Sequence, residues 1–188
     1  APLGKGLSIY YANYTEWGPK AAGIIGTDSM RGHHVHLGVE THLCGASLSR
    51  ARRLVKKLGF RSYVCPAEPT GRGGSHGGTW VLAQRSLESH SFLPGAEGSQ
   101  LIGDQWTAAA VRMKGFDVVL VAVYLEDGIG LAGANIDRLG SLAKFLEQLS
   151  VPYIIMGDWN LEPSELETAR WPQFVRGRVV QPRGVAFT

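Results

Sequence analysis

The chain has 188 residues, of which 44% are hydrophobic and 19% are charged, with a formal net charge of +3 at pH 7. This length fits a single domain, and the composition excludes a disordered tail or a fibrous repeat. The mild basic balance is compatible with a polyanionic partner. No apolar stretch approaches the roughly 20 residues that a bilayer span needs, so we expect no membrane partner.

Two cysteines, Cys44 and Cys65, have no metal-ligand spacing, and we expect them to be buried or half-buried thiols. The amino terminus has no signal-peptide pattern, which favours an intracellular over a secreted protein. The first residue is Ala rather than Met, which suggests a domain excised from a longer protein.

Apolar runs and helical periodicity predict several strands and one helix in the first half of the chain. The predicted elements are a strand at 7–12, a strand at 35–39, a helix at 46–58, an extended segment at 61–65 and a strand at 78–85. Gly59 is the expected helix stop. The Gly- and Pro-rich run 66–77 is predicted to be a loop.

The second half begins with a polar, irregular run at 87–104, which we interpret as a long connection rather than a domain linker. The predicted elements after it are strands at 106–113 and 116–124, a helix at 136–149 and a strand at 152–156. Lys114 and Gly115 predict a tight hairpin turn between the strands at 106–113 and 116–124. This order predicts a layered, mixed α/β architecture.

The last predicted strand runs directly into Gly157-Asp158-Trp159-Asn160, in which an acid and an amide are separated by one residue. Residues two apart on an extended chain point to the same side. Asp158 and Asn160 therefore face one ligand if the chain stays extended past Gly157. The alternative is an Asx turn that only closes a buried strand.

Three other predicted strands end in a comparable way, at Asn13, Glu40 and Tyr124. In open sheets, ligands bind beyond the carboxyl ends of the strands. Two carboxylates with flanking amides are all-oxygen ligands, which suit Mg²⁺ or Mn²⁺ better than zinc. Each residue also has a purely structural alternative: Asn13 could cap a turn, Glu40 could be a surface acid, and Tyr124 could be an aromatic residue at the rim of the sheet.

These segments together resemble the endonuclease/exonuclease/phosphatase superfamily, the deoxyribonuclease I-like fold that includes abasic-site endonucleases and the endonuclease domains of non-LTR retroelements. Val39-Glu40-Thr41-His42-Leu43 resembles its metal-binding Glu motif, and Ile155-Met156-Gly157-Asp158-Trp159-Asn160 resembles its Gly-Asp-aromatic-Asn motif. The segment 77–83 is similar to its glycine-led central strand. The resemblance runs from about residue 7 to about residue 168.

The resemblance implies an α/β/β/α sandwich and a divalent-metal-dependent hydrolase of phosphodiester bonds, with an endonuclease acting on DNA as the expected activity. By this resemblance, Glu40 holds Mg²⁺ or Mn²⁺, while Asn13 orients that ligand or reaches the phosphate. Asp158 orients or deprotonates the attacking water. Asn160 binds the scissile phosphate and Tyr124 contacts it.

The sequence departs from the family pattern in two places. The family closes with a strand that bears an Asp-His pair, and none of the six histidines of this chain follows Asp158. We therefore expect residues 1–188 to form one domain that lacks its final strands. An exposed sheet edge is then expected to favour self-association or a partner. Leu125-Glu126-Asp127 also stands where many relatives carry a Pro-Asn pair.

Two residues of the 66–77 loop, Arg72 and His76, are candidate substrate contacts, because loops near strand ends reach the site. A structural or solvated role is the alternative for His76. Six basic residues near the first predicted helix indicate either a track for a nucleic-acid backbone or the solvated face of an amphipathic helix. They are Arg50, Arg52, Arg53, Lys56, Lys57 and Arg61.

His33, His34 and His36 are spaced like a metal-binding cluster, but they have no Cys or acid at ligand spacing beside them, so no zinc site is expected. Two other functions stay open at this point. One is a non-catalytic fragment or a nucleic-acid- or protein-binding module of the same fold. The other is a phosphatase for phosphoinositides or other small phosphate esters, because substrate choice resides in loops and fold does not fix function.

Overall fold

The computed structural model describes residues 6–71, 73–91 and 105–180. The strands and helices of these ranges, in chain order, are β1 Ile9–Asn13, α1 Pro19–Ile25, α2 Asp28–Arg31, β2 Val35–Val39, α3 Gly45–Lys57, β3 Phe60–Cys65, β4 Glu68–Pro69, β5 Ser75–His76, β6 Thr79–Gln84, β7 Ser89–His90, β8 Trp106–Arg112, β9 Asp117–Tyr124, α4 Gly133–Glu147, β10 Tyr153–Asp158, α5 Pro163–Thr168 and α6 Trp171–Phe174. No helix among them has the length and apolar character needed to cross a bilayer.

Most strands belong to two four-stranded sheets. The first sheet has the order β1-β2-β6-β3 and the second has the order β10-β9-β8-β7, while β4 and β5 form a separate ribbon. β1 pairs with β2 in parallel, and β10 pairs with β9 in parallel. Each parallel pair brings two carboxyl strand ends to one edge of its sheet.

The two sheets pack against each other through one apolar layer, because side chains alternate along each strand with a period of two. The first sheet supplies Val35, Leu37, Val39, Val81 and Ala83 to this layer, and the second supplies Ala109, Val111, Val118, Leu120, Ala122 and Tyr124. The intervening residues of the same strands face outward and are buried as well, so the central strands are covered on both faces.

Helices cover the outer face of each sheet. Ala51 and Val55 of α3 pack with Trp80 and Leu82 of β6 on the first sheet. On the second sheet, α4 contributes the apolar residues Leu139, Leu142, Ala143 and Leu146. The molecule is therefore a four-layer α/β/β/α sandwich, which confirms the predicted fold class.

The structure differs from the predicted element order in its shorter elements. The helices α1, α2, α5 and α6 were not predicted, since helices of four to seven residues are too short to show two turns of apolar periodicity. α2 is fixed locally, because the Thr27 hydroxyl accepts a hydrogen bond from the Met30 amide at 3.4 Å. The predicted loop 66–77 also contains the β4–β5 ribbon.

Gly38 in β2 provides a test of the packing between the first sheet and its helical layer. A Cβ at this position would overlap the indole ring of Trp80 and the ring of Tyr14. Because the neighbours are rigid aromatic rings, we expect Gly38→Ala to lower the free energy of unfolding by about 1–3 kcal/mol. Urea unfolding followed by tryptophan fluorescence measures this change.

Gly140 in α4 is the matched control, since a Cβ there meets no atom within 4 Å. Gly140→Ala is expected to raise the free energy of unfolding by about 0.5–1 kcal/mol through helix propensity. Equal stability of the two variants would contradict the packing described for Gly38.

Candidate active site

The predicted site residues lie where the carboxyl ends of four strands meet. Asn13 ends β1 and is paired with Val39, so it lies beside Glu40, the residue that follows β2. Asp158 ends β10 and is paired with Tyr124, the last residue of β9. The Asn13 Nδ2 atom donates a hydrogen bond to Asp158 Oδ2 at 2.8 Å, and this bond joins the two sheets.

The carboxamide of Asn13 has a fixed orientation. Its Oδ1 atom accepts a hydrogen bond from the Thr15 backbone amide at 2.8 Å, as in an Asx turn. The amide nitrogen must therefore point away from that turn, toward Asp158. Asn13 therefore caps a turn, as the structural alternative has it, and also contacts Asp158, the predicted catalytic base, directly.

Glu40 and Tyr124 contact each other at the centre of this group. Tyr124 lies close enough to Glu40 for the carboxylate to raise the pKa of the phenol. Burial raises the pKa of Tyr124 to about 12, and the charges of Glu40 and Asp158 act in the same direction. The phenol is therefore protonated at neutral pH and is available as a hydrogen-bond donor.

Asp158 lies in a partly desolvated position close to other acids. Burial raises the pKa of its carboxyl, the negative charges of Glu40 and Asp127 raise it further, and hydrogen bonds from Asn13 and the Asn160 backbone oppose the shift. A carboxylate with a raised pKa is a stronger base, and such shifts are typical of catalytic acids and bases.

The conformation of Asn160 decides between the two alternatives left open for the segment after β10. The chain does not stay extended after Asp158, because Asn160 has a φ of +44°. Its backbone amide instead binds the Asp158 carboxylate, which is the Asx-turn alternative, and its Nδ2 atom donates to the Leu125 carbonyl at 2.7 Å. Asn160 stays at the same end of the sheets as Asp158 but is tied to the segment after β9.

Backbone strain is concentrated at this end of the molecule. Seven non-glycine residues of the described ranges have a positive φ, which is unfavourable for L-residues. Five of them lie in the turns that follow or precede the strands of the site: Thr15, Glu40, His42, Gln105 and Asn160. Such strain typically marks functional sites, where packing holds residues in conformations they would not adopt alone.

A buried polar network beside Tyr124 was not predicted. Gln105 accepts a hydrogen bond from the Gly78 amide at 2.6 Å and donates to Glu68 at 3.2 Å. Glu68 also lies 3.7 Å from Arg138, which is only 3% exposed. These residues are distant in sequence and follow no motif, so only the folded chain shows that they surround the Gly77-Gly78 turn.

The two predicted substrate contacts have different outcomes. His76 lies in β5, with its Nε2 atom 3.1 Å from Glu68, and 40% of its side chain is exposed. It therefore joins the buried network at the rim of the site, and a substrate role stays a prediction. Arg72 lies outside the described residues.

The three histidines before and in β2 have structural contacts. The buried His36 donates from Nε2 to the Met30 carbonyl at 2.9 Å, and desolvation lowers its pKa to about 4. His33 and His34 each contact Ser8. In the parts of the chain that are described, no three His, Cys, Asp or Glu side chains group together to hold a metal ion.

The donor set of the site still fits one kind of ion. Mg²⁺ is commonly held through one or two carboxylates, with water and substrate oxygens completing its coordination. Glu40 provides such a carboxylate, and the surrounding side chains Asn13, Tyr124 and Asp158 offer only oxygen and amide groups. The chemistry therefore fits Mg²⁺ or Mn²⁺ and does not fit zinc.

The fold and the site define a four-layer α/β/β/α sandwich with an oxygen-rich acidic site at its carboxyl strand ends. Residues 29–178 match the model of the Endonuclease/Exonuclease/phosphatase family, and the chain belongs to this family. Hydrolysis of phosphate esters, by phosphodiesterases, nucleases or phosphatases, is the activity found across the family, whose members generally depend on a divalent metal. No curated protein sequence matches the chain.

Several solved structures share the fold. The endonuclease domain of TRAS1, a telomere-specific non-LTR retrotransposon, superposes with a TM-score of 0.59 at 12% identity, over 90% of this chain and 71% of that chain. The 3′ phosphatase NExo from Neisseria, bound to a product DNA hairpin, has a TM-score of 0.56 at 13% identity. The match covers 91% of this chain and 70% of that chain. Humanized D. rerio TDP2 has a TM-score of 0.55 at 16% identity, with 87% of this chain and 70% of that chain covered. At these identities the likeness shows the fold alone.

The raised pKa of Asp158 predicts how its charge affects stability. Folding favours the protonated carboxyl, so this contribution is complete below the unfolded-state pKa and is lost as pH rises through the folded-state pKa. Asp158→Asn removes the charge but keeps the shape. We expect its stability relative to the unaltered chain to increase between pH 3 and pH 7, measured by urea unfolding at each pH.

Asp137→Asn serves as the control, because Asp137 is exposed on α4. This control reports the effect on stability of removing one negative charge from the surface of the folded chain. A stability difference for Asp158→Asn that falls as pH rises would contradict the described environment of Asp158.

Proposed function

We propose that the chain hydrolyses phosphodiester bonds with the help of Mg²⁺ or Mn²⁺ and that its substrate is DNA, which it cuts as an endonuclease. The observation that carries the proposal is the hydrogen bond of Asn13 to Asp158 across the two sheets, directly beside Glu40 and Tyr124. This bond brings the proposed base close to the proposed metal ligand and the proposed phosphate donor.

Glu40 is the proposed metal ligand. When bound, the ion would stabilise the negative charge that develops on the phosphate oxygens during hydrolysis. Glu40 is half-buried, and its backbone lies in the left-handed region with a φ of +50°. Its carboxylate lies beside the Tyr124 phenol, which is available as a hydrogen-bond donor.

Asp158 is the proposed group that orients and deprotonates the attacking water. Its carboxylate is fixed by Asn13 and by the Asn160 backbone amide, and its raised pKa increases its affinity for a proton. General base catalysis of this type contributes typically about 10²–10⁴-fold to the rate.

Tyr124 and Asn160 are the proposed phosphate contacts. The protonated Tyr124 phenol is a donor beside Glu40, and it would donate to a phosphate oxygen if the Glu40 carboxylate held the metal ion. One of the two N–H groups of the Asn160 amide binds the Leu125 carbonyl, which leaves the second for a phosphate oxygen. Fixed donors of this kind stabilise transition-state charge.

DNA is proposed as the substrate from the net charge of +3 and from the family relationship. One structure with the same fold, the NExo phosphatase, is bound to a DNA product. His76, whose Nε2 atom lies 3.1 Å from Glu68 at the rim of the site, and Arg72, four residues earlier in the sequence, are the proposed contacts to flanking phosphates.

The proposal is tested with bis-p-nitrophenyl phosphate and with supercoiled plasmid DNA. The nitrophenolate leaves without protonation, so hydrolysis of the first substrate needs no general acid. Activity is expected with Mg²⁺ or Mn²⁺ and not with EDTA. Asp158→Asn is expected to lose about 10²–10⁴-fold in kcat, because the water loses its base.

Glu40→Gln is expected to weaken Mn²⁺ binding at least about 10-fold in isothermal titration calorimetry, since the charged ligand is removed. Glu147→Gln is the matched control at an exposed position of α4 and is expected to leave metal binding and hydrolysis unchanged. Hydrolysis in EDTA, or full activity in both Glu40→Gln and Asp158→Asn, would overturn the proposal.

A further inference from the structure

A basic cleft lies on the first sheet, away from the candidate active site. Its cavity measures about 280 Å³ and is lined by five cations and an aromatic ring. They are Arg52, Arg53 and Lys56 of α3, Phe60 and Arg61 of β3, and Arg85 after β6. We call these residues the basic cleft.

The basic cleft is at the opposite end of the sheet from the site. β3 and β6 are antiparallel, with Phe60 opposite Gln84 and Cys65 opposite Thr79. The Gly77-Gly78 turn of the site precedes Thr79, whereas the cleft is at the Phe60 end. Five residues of extended chain separate the two ends by about 17 Å.

The cations of the cleft form no ion pair with an acid in the described part of the chain. Within the ranges that the structure describes, the ion pairs involve other residues, and none joins these five cations to a carboxylate. Arg61 is instead held in place by a hydrogen bond from its guanidinium to the Leu87 carbonyl at 2.7 Å. Among the described residues, no ion pair therefore neutralises the positive charge of the cleft.

A solvated helix face does not account for this arrangement. Favourable interaction with the helix dipole explains cations only in the last turn of α3, where Lys56 and Lys57 lie. Arg52 and Lys56 are four residues apart, and like charges at this spacing destabilise a helix. Arg61 and Arg85 come from two other elements and converge on the same cavity.

We propose that the basic cleft is a second binding site for the phosphate backbone of a nucleic acid. Arginine side chains suit this role, because their planar forks bind phosphate oxygens in pairs. The choice of a nucleic acid, among polyanions, rests on the proposed function. Since the cleft and the active site open at opposite ends of a sheet, the cleft holds a different stretch of a long polymer from the one being cut.

The test compares the unaltered chain with the triple variant R52Q/R53Q/K56Q. Glutamine has a helix propensity close to those of arginine and lysine, so α3 is preserved. The probe is a fluorescein-labelled 40-bp DNA duplex, titrated in EDTA between 50 and 200 mM KCl. We expect Kd at 100 mM KCl to rise about 10-fold and the salt slope to fall by about 0.9 for each lost phosphate contact.

The control triple variant K144Q/R176Q/R178Q removes the same net charge from exposed positions outside the cleft. It is expected to change Kd much less. An equal loss of duplex affinity in both triple variants would show that net charge alone governs binding and would overturn the proposal. The single variant R85Q lies outside α3, so a weakened duplex affinity in R85Q supports the cleft independently of helix stability.

Hydrolysis of bis-p-nitrophenyl phosphate separates this proposal from the proposed function. The small diester does not reach the cleft, so R52Q/R53Q/K56Q is expected to hydrolyse it at the unaltered rate. Duplex binding through the cleft without any hydrolysis would contradict the proposed function only. Inorganic tripolyphosphate is the competing probe: binding of tripolyphosphate to the cleft more tightly than duplex DNA would contradict a backbone-binding role.

Discussion

The apolar layer between the two sheets is the constraint on which the site depends. Leu37 and Val39 of the first sheet and Leu120 and Ala122 of the second belong to the same buried cluster. Their packing sets the distance between sheets and brings the carboxyl ends of two parallel strand pairs to one side. The hydrogen bond between Asn13 and Asp158 forms only because this layer aligns the last residues of β1 and β10.

The site carries electrostatic and conformational costs that the surrounding core offsets. Burial and nearby acids raise the pKa of Asp158, and burial together with Asp158 and Glu40 raises the pKa of Tyr11. Glu40 and Asn160 both adopt positive φ values. Strained, mutually repelling groups of this kind persist where packing holds them, and they are expected where binding a cation or a phosphate relieves the repulsion.

The sequence predicts the strand-end residues but not the network behind them. An apolar run that stops at a polar residue is a local pattern. Neighbouring residues alone therefore identify Asn13, Glu40 and Asp158 as residues at the ends of strands. Gln105 meets Glu68 across 37 positions of sequence, and this contact depends on how the ribbon β4–β5 packs. The sequence leaves both an extended chain and a turn open at Asn160, and the turn forms because Asn160 is hydrogen-bonded to Leu125 and held near Asp158.

The central claim is that the two sheets are coupled through Asn13 and Asp158, and a double-mutant cycle tests it most directly. The variants are Asn13→Ala, Asp158→Ala and the combination, with the free energy of unfolding measured at pH 7. A hydrogen bond to a carboxylate at this partly exposed position predicts a coupling energy of about 1 kcal/mol. Additivity of the two substitutions within about 0.3 kcal/mol would contradict the account.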